Sequence, residues 1–311
     1  MIIDAIKLVS SLLVGFSILI VSSPTLGELF ATMAPIYNKS AAISLKDLNF
    51  KYEEVSFPTT DGLMLRGWFF PADNPDAPAI IYAPATAHDQ RSGISLLAPF
   101  HEANYHVLLF SYRGHGLSDG DPFGFTYGAD ESKDIDAAVA FLATEKGIDQ
   151  IGVIGHSAGA VSAILSAARN PLIGALVAAS PYPSMEEIWN SNRPRYFPEA
   201  LHELTLNMVE LRKQFSRQDV RPQDVISQIT PRPILLLHSD GDRRITHKQA
   251  VALFNAANEP KTLWLVKNAS HAEVRSVILE EQIESVIAFF NEAFGRSASL
   301  TNNRRVVRAA D

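Results

Sequence analysis

Apolar residues run along this chain in two rhythms. Six short runs are apolar without strict alternation: APAIIYA (77–83), HVLLFSY (106–112), IGVIG (151–155), LIGALVAAS (172–180), PILLLHS (233–239) and TLWLVK (262–267). Such runs predict strands covered on both faces. Between them lie stretches of helical periodicity, at about 129–146, 158–169, 246–257 and 274–294. Strands alternating with helices predict βαβ units, a mostly parallel twisted sheet, and helices on both faces: an α/β fold. Upstream, YEEVSF (52–57) and LMLRGWFF (63–70) flank the turn residues Thr59-Thr60-Asp61-Gly62 and predict an antiparallel hairpin.

Three segments break the pattern. Residues 181–230 hold no strand signal, only helix-prone sequence such as SMEEIWN and LHELTLNMVELRKQF. Their position between two core strands predicts an inserted helical lid. Residues 296–311 read as a disordered tail. At the other end, LVSSLLVGFSILIV (8–21) is uncharged and apolar all round. With residues 1–7 added it approaches the roughly 20 residues needed to span a bilayer. The expected organisation is therefore an anchor or signal segment at 1–23, a linker at 24–48 and one domain at 49–295. No small-x-small cleavage site follows the run, which favours an uncleaved membrane anchor over a secretory signal. Lys7 precedes the anchor and few cations follow it, which points the catalytic domain away from the cytoplasm.

Composition narrows the partners. The chain has 311 residues and a formal net charge of -7, and no long basic run, so nucleic acid is not expected. Arg304, Arg305 and Arg308 cluster in the tail and read as solvated. Cysteine is absent, which removes disulfides, thiolate metal sites and a Cys nucleophile. The histidines lack the spacing of a zinc site, and no glycine-rich phosphate loop follows a strand. Neither a metal nor a cofactor is expected.

The chemistry concentrates at Gly155-His156-Ser157-Ala158-Gly159. This is G-x-S-x-G between a buried strand and a helix, the context of a nucleophile elbow. Small residues at 155 and 159 let strand and helix approach, and the helix N-terminus favours negative charge beside Ser157. A serine hydroxyl needs a base and a group to orient that base. In this architecture the chain order is serine, acid, histidine. The downstream histidines are His202, His238, His247 and His271. His202 falls in the lid, His238 ends a strand as a packed residue, and His247 opens a helix. His271 follows a late strand, where a base should project. The acid comes from HSDGDRRIT (238–246), with Asp242 preferred and Asp240 read as a turn residue. Oxyanion donors are expected from the backbone N–H groups of Ala158 and Thr86. Pro84, earlier in the same loop, has no N–H to give.

These residues carry a resemblance. DGLMLRGWFFPA, HVLLFSYRGHGLSDG, GHSAG, LLLHSDGDRRIT and ASHAEV stand in order across about 50–294. Together they resemble the α/β-hydrolase fold, in its serine aminopeptidase and monoacylglycerol lipase-like group. The resemblance implies a serine hydrolase acting on a small-molecule acyl substrate, with esterase or lipase-like activity, and gives His115 of RGHGLSDG a part in shaping the site. Members usually carry His-Gly where this chain has Pro84-Ala85. That departure is the one feature favouring a different class, a non-catalytic scaffold on a hydrolase fold. Acyl transfer to an acceptor other than water is a further expectation.

Overall fold

The computed structural model describes residues 50–193, 195–276 and 282–296. Among them, eight strands form a single sheet: β1 (Glu53–Pro58), β2 (Met64–Phe70), β3 (Ala79–Ala83), β4 (His106–Ser111), β5 (Ile151–His156), β6 (Ile173–Ala179), β7 (Ile234–Ser239) and β8 (Lys261–Val266). Their spatial order is β1-β2-β4-β3-β5-β6-β7-β8. The pairs β1–β2 and β2–β4 are antiparallel, and every later pair is parallel. The hairpin and the parallel sheet both match the sequence expectation. The helices are α1 (Ile94–Glu102), α2 (Glu131–Thr144), α3 (Ala158–Arg169), α4 (Met185–Ser191), α5 (Glu199–Lys213), α6 (Pro222–Val225), α7 (His247–Ala256), α8 (His271–Ser276) and α9 (Ile283–Ala293).

Continuous apolar strands make sense because both faces are covered. On β4, Leu108 and Phe110 join one core with α2, α3 and α7. Val107 and Leu109, pointing the other way, join a second core with α1 and α9. Two helical positions differ from the sequence reading. The sequence pattern predicts no helix at α1: ISLLAPFHE carries Pro99 inside it, and an internal proline reads as a breaker. Burial of Leu96, Leu97 and Phe100 outweighs the lost backbone bond. The helix expected over 274–294 starts earlier, at His271, and residues 277–281 lie outside the described residues.

Among the described residues of segment 181–230, where a lid is expected, lie α4, α5 and α6 and no strand. Its apolar residues Met185, Trp189, Leu206 and Val209 pack in one cluster with Ala158 and Val161 of α3. The lid therefore sits on the helix that begins at the candidate nucleophile. The end of α5 is tied down by Lys213, whose Nζ donates to the Phe123 carbonyl at 2.8 Å. The segments where an anchor and a linker are expected, and the expected tail beyond residue 296, lie outside the described residues. No described helix is long and apolar enough to cross a membrane.

Burial pushes the Lys213 ammonium down to about 8, and Glu131 and Asp121 offset part of that fall. The free chain titrates near 10.5, so between about 8 and 10.5 the unfolded state binds more protons than the folded one. Wild-type stability then gains with rising pH across that window. The Tm of wild type relative to Lys213→Met is expected to climb between these pH values. A difference that stays flat across them would contradict the linkage.

Candidate active site

The turn from β5 into α3 is set by close backbone approach. A Cβ on Gly159 would strike the carbonyl oxygens of Ala83 and Pro84, and a Cβ on Gly155 would strike the Gly159 carbonyl. With both side chains absent, β3, β5 and α3 meet. The chain then has little room to turn, and Ser157 takes φ 55 and ψ -122. A non-glycine residue with positive φ is costly, by about 1–3 kcal/mol, and persists where its surroundings over-determine it. Here Ser157 N–H donates to the Ala179 carbonyl at 2.8 Å, at the end of β6, while the Ser157 carbonyl accepts from Ala160 and Val161 at 3.0 and 3.1 Å. The N–H of Ala158, in the first turn of α3, has no partner within the helix.

Three side chains meet at the carboxyl edge of the sheet. Ser157 follows β5, Asp242 follows β7 and His271 follows β8. His271 Nε2 lies 3.1 Å from Ser157 Oγ, and His271 Nδ1 lies 2.7 Å from Asp242 Oδ2. The Asp242 side chain is wholly buried and that of His271 is 17% exposed. Burial alone raises the Asp242 carboxyl, yet hydrogen bonds from His271 and the Ile245 N–H outweigh it and hold the group below its ordinary value. An ionised Asp242 only accepts, so Nδ1 carries the imidazole proton and the Nε2 lone pair faces the serine hydroxyl.

The loops bearing Asp242 and His271 are pinned to each other. Ser239 Oγ accepts from Gly241 N at 3.1 Å and from Ala269 N at 3.0 Å. Asp240 Oδ1 accepts from Asn268 N at 2.7 Å. Asp240 is thus a loop clamp, in keeping with its reading as a turn residue. Asp242 is steadied by its second oxygen, which accepts from Arg244 N and Ile245 N, both at 2.9 Å. His271 heads α8 rather than lying within a loop.

Other histidines stand outside this pair of hydrogen bonds. His115 Nδ1 bonds its own loop at the Arg113 carbonyl, 2.8 Å away, and burial pushes the ring down to about 4. That loop is anchored by Arg113, which grips buried Asp134 and the hairpin residue Asp61, both at 2.7 Å. Burial disfavours the guanidinium charge, but these two carboxylates more than restore it. His202 is buried in the lid against the edge of Phe197. His238 Nε2 donates to the Ile245 carbonyl at 2.7 Å. His156, an elbow residue with no role foreseen in the sequence, stacks on His271 with ring centroids 5.4 Å apart. Thr86 stands half-buried in the turn after β3, where His88 N bonds the Ala85 carbonyl at 3.1 Å. Pro84, in the same turn, offers one of the two carbonyls against which Gly159 closes.

The Alpha/beta hydrolase family model matches residues 63–288. The chain belongs to this alpha/beta hydrolase family. It is 25% identical over 253 residues to the uncharacterized protein YfhR of Escherichia coli (strain K12), covering 77% of this chain and 82% of that one. It is 23% identical over 283 residues to the polyketide transferase ATR5 of Stachybotrys chlorohalonatus, covering 75% and 95%. Among solved structures, the Pyrococcus furiosus esterase Pf2001 superposes with a TM-score of 0.66 at 24% identity, covering 81% of this chain and 96% of that chain. That likeness speaks for the fold. As a member of the family the chain is a hydrolase, and the expected α/β-hydrolase architecture stands.

The elbow of this hydrolase leaves no room for a methyl group at Gly159. Gly159→Ala sets a Cβ against two backbone carbonyls that cannot swing away, so it is expected to cost about 1–3 kcal/mol of stability, read by urea unfolding. Wild-type stability in that variant would contradict the close approach.

Proposed function

We propose that this hydrolase cleaves a carboxylic ester, or a related thioester or amide, with Ser157 as nucleophile, His271 as general base and Asp242 as the group that orients it. The observation carrying this reading is the unbroken chain of two hydrogen bonds, 2.7 and 3.1 Å, from Asp242 through His271 to Ser157. Ser157 Oγ attacks the acyl carbonyl while its proton passes to His271 Nε2. The tetrahedral oxyanion accepts from the N–H groups of Ala158 and Thr86. Collapse expels the leaving group, which takes the proton from His271, and water repeats the sequence to free the acid. The apolar lid cluster beside Ala158 favours an apolar acyl group.

A second reading is transfer of the acyl group to an acceptor other than water, favoured by the similarity to a polyketide transferase. The two share the acyl-enzyme and part at its resolution, so product analysis with and without added alcohol or amine acceptors separates them.

A fluorophosphonate probe is expected to label the wild-type protein and not Ser157→Ala. Unlabelled wild type with an intact fold would overturn the enzyme reading and favour a scaffold. On p-nitrophenyl esters of graded chain length, Asp242→Asn is expected to lower kcat by about 10³–10⁴-fold, because it leaves His271 without the partner that fixes its tautomer. Asp240→Asn, at the loop clamp, should cost far less; equal losses would shift the acid role away from Asp242.

A further inference from the structure

We propose that His238 is a positioning residue for the Asp242 carboxylate, an inference that rests on the reading of Ser157, His271 and Asp242 given above. His238 lies in β7 and is wholly buried. An imidazole enclosed among aliphatic strand residues is unfavourable unless its polar atoms are used. One of them is: Nε2 bonds the Ile245 carbonyl at 2.7 Å. A carbonyl only accepts, so Nε2 carries the proton. Burial holds the ring below its ordinary value despite the nearby Asp242, and His271 and His247 push it further the same way, which keeps it neutral.

The Ile245 carbonyl is a meaningful target. The N–H of the same residue donates to Asp242 Oδ1 at 2.9 Å. Ile245 is therefore gripped on both sides: its N–H by the carboxylate, its carbonyl by His238. The side chain is buried in the lid cluster, which blocks a third direction of movement. His238 Nε2 also lies 3.7 Å from Asp242 Oδ2, the oxygen that faces His271. The carboxylate oxygen Oδ2 thus has two imidazoles near it, one bonded directly and one acting through the turn at 242–245. A residue present only to fill the core would need neither the donor at Nε2 nor this proximity.

Three variants test the role. Gln carries an amide donor close to where His presents Nε2, Asn carries one too short to reach Ile245, and Leu carries none. His238→Leu and His238→Asn are expected to lower kcat for ester hydrolysis by about 10–100-fold, the scale of lost outer-layer support in metal sites, with KM within about twofold. His238→Gln is expected to stay within a few-fold of wild type. The low-field proton resonance of the His271–Asp242 hydrogen bond should weaken or move upfield in the Leu and Asn variants and persist in Gln. If His238→Leu fails to fold, the Asn and Gln pair carries the comparison. Wild-type kcat and an unchanged resonance in His238→Asn would overturn the proposal, as would equal losses in Asn and Gln. Failure of the underlying reading looks different: there the wild-type protein itself neither reacts with the fluorophosphonate nor depends on Ser157.

Discussion

Backbone packed against backbone at Gly155 and Gly159 is the constraint on which the site depends. Without side chains at these two positions, α3 can start directly over the ends of β3 and β5. The positive φ of Ser157 follows from that crowding. Its cost is offset by what the short turn permits: Ala160, Val161, Ala163 and Ile164 of α3 are all buried. The strained residue is thus held by the packing of a whole helix, and its hydroxyl stands clear of the sheet at the helix N-terminus.

The parallel sheet does the rest by alignment. Successive strands end level, with Ala83 beside Gly155, His156 beside Ala179 and Ser239 beside Val266. Loops leaving β3, β5, β7 and β8 therefore emerge along one edge, where ligands bind in open α/β sheets. Residues far apart in sequence reach one another because each lies only a few positions past its strand. Ser239 and Asp240 then set the fine geometry by joining the two later loops.

Much of this was legible from the chain alone, for identifiable reasons. Doubly covered strands leave apolar runs, and all eight strands were found within a residue or two of their ends. The elbow was readable because its glycines are a steric requirement visible in the letters. Asp242 and His271 followed from chain order and strand ends. What the sequence hid were effects of tertiary contact. Pro99 disguised α1, whose burial overrides the proline. The stacking of His156 on His271 and the grip of His238 on Ile245 depend on which way rings face, and neighbouring letters do not encode that. Ser239 left a faint signal in HSDGD, a cluster of turn-forming residues, but the bond it accepts from Ala269 N reaches across to another loop.

The placement of β8 has one more consequence. It is one of the two edge strands of the sheet, paired among the described residues with β7 alone, and its residue Leu265 is 42% exposed. Ser157 by contrast sits at the end of a strand flanked on both sides. Outer strands open more readily than inner ones in native-state fluctuations. The histidine and the serine thus belong to regions of unequal local stability. Under mild heat or denaturant, the hydrogen bond between them is expected to loosen before the central strands part, since one of its ends hangs on an edge strand and the other on an inner one.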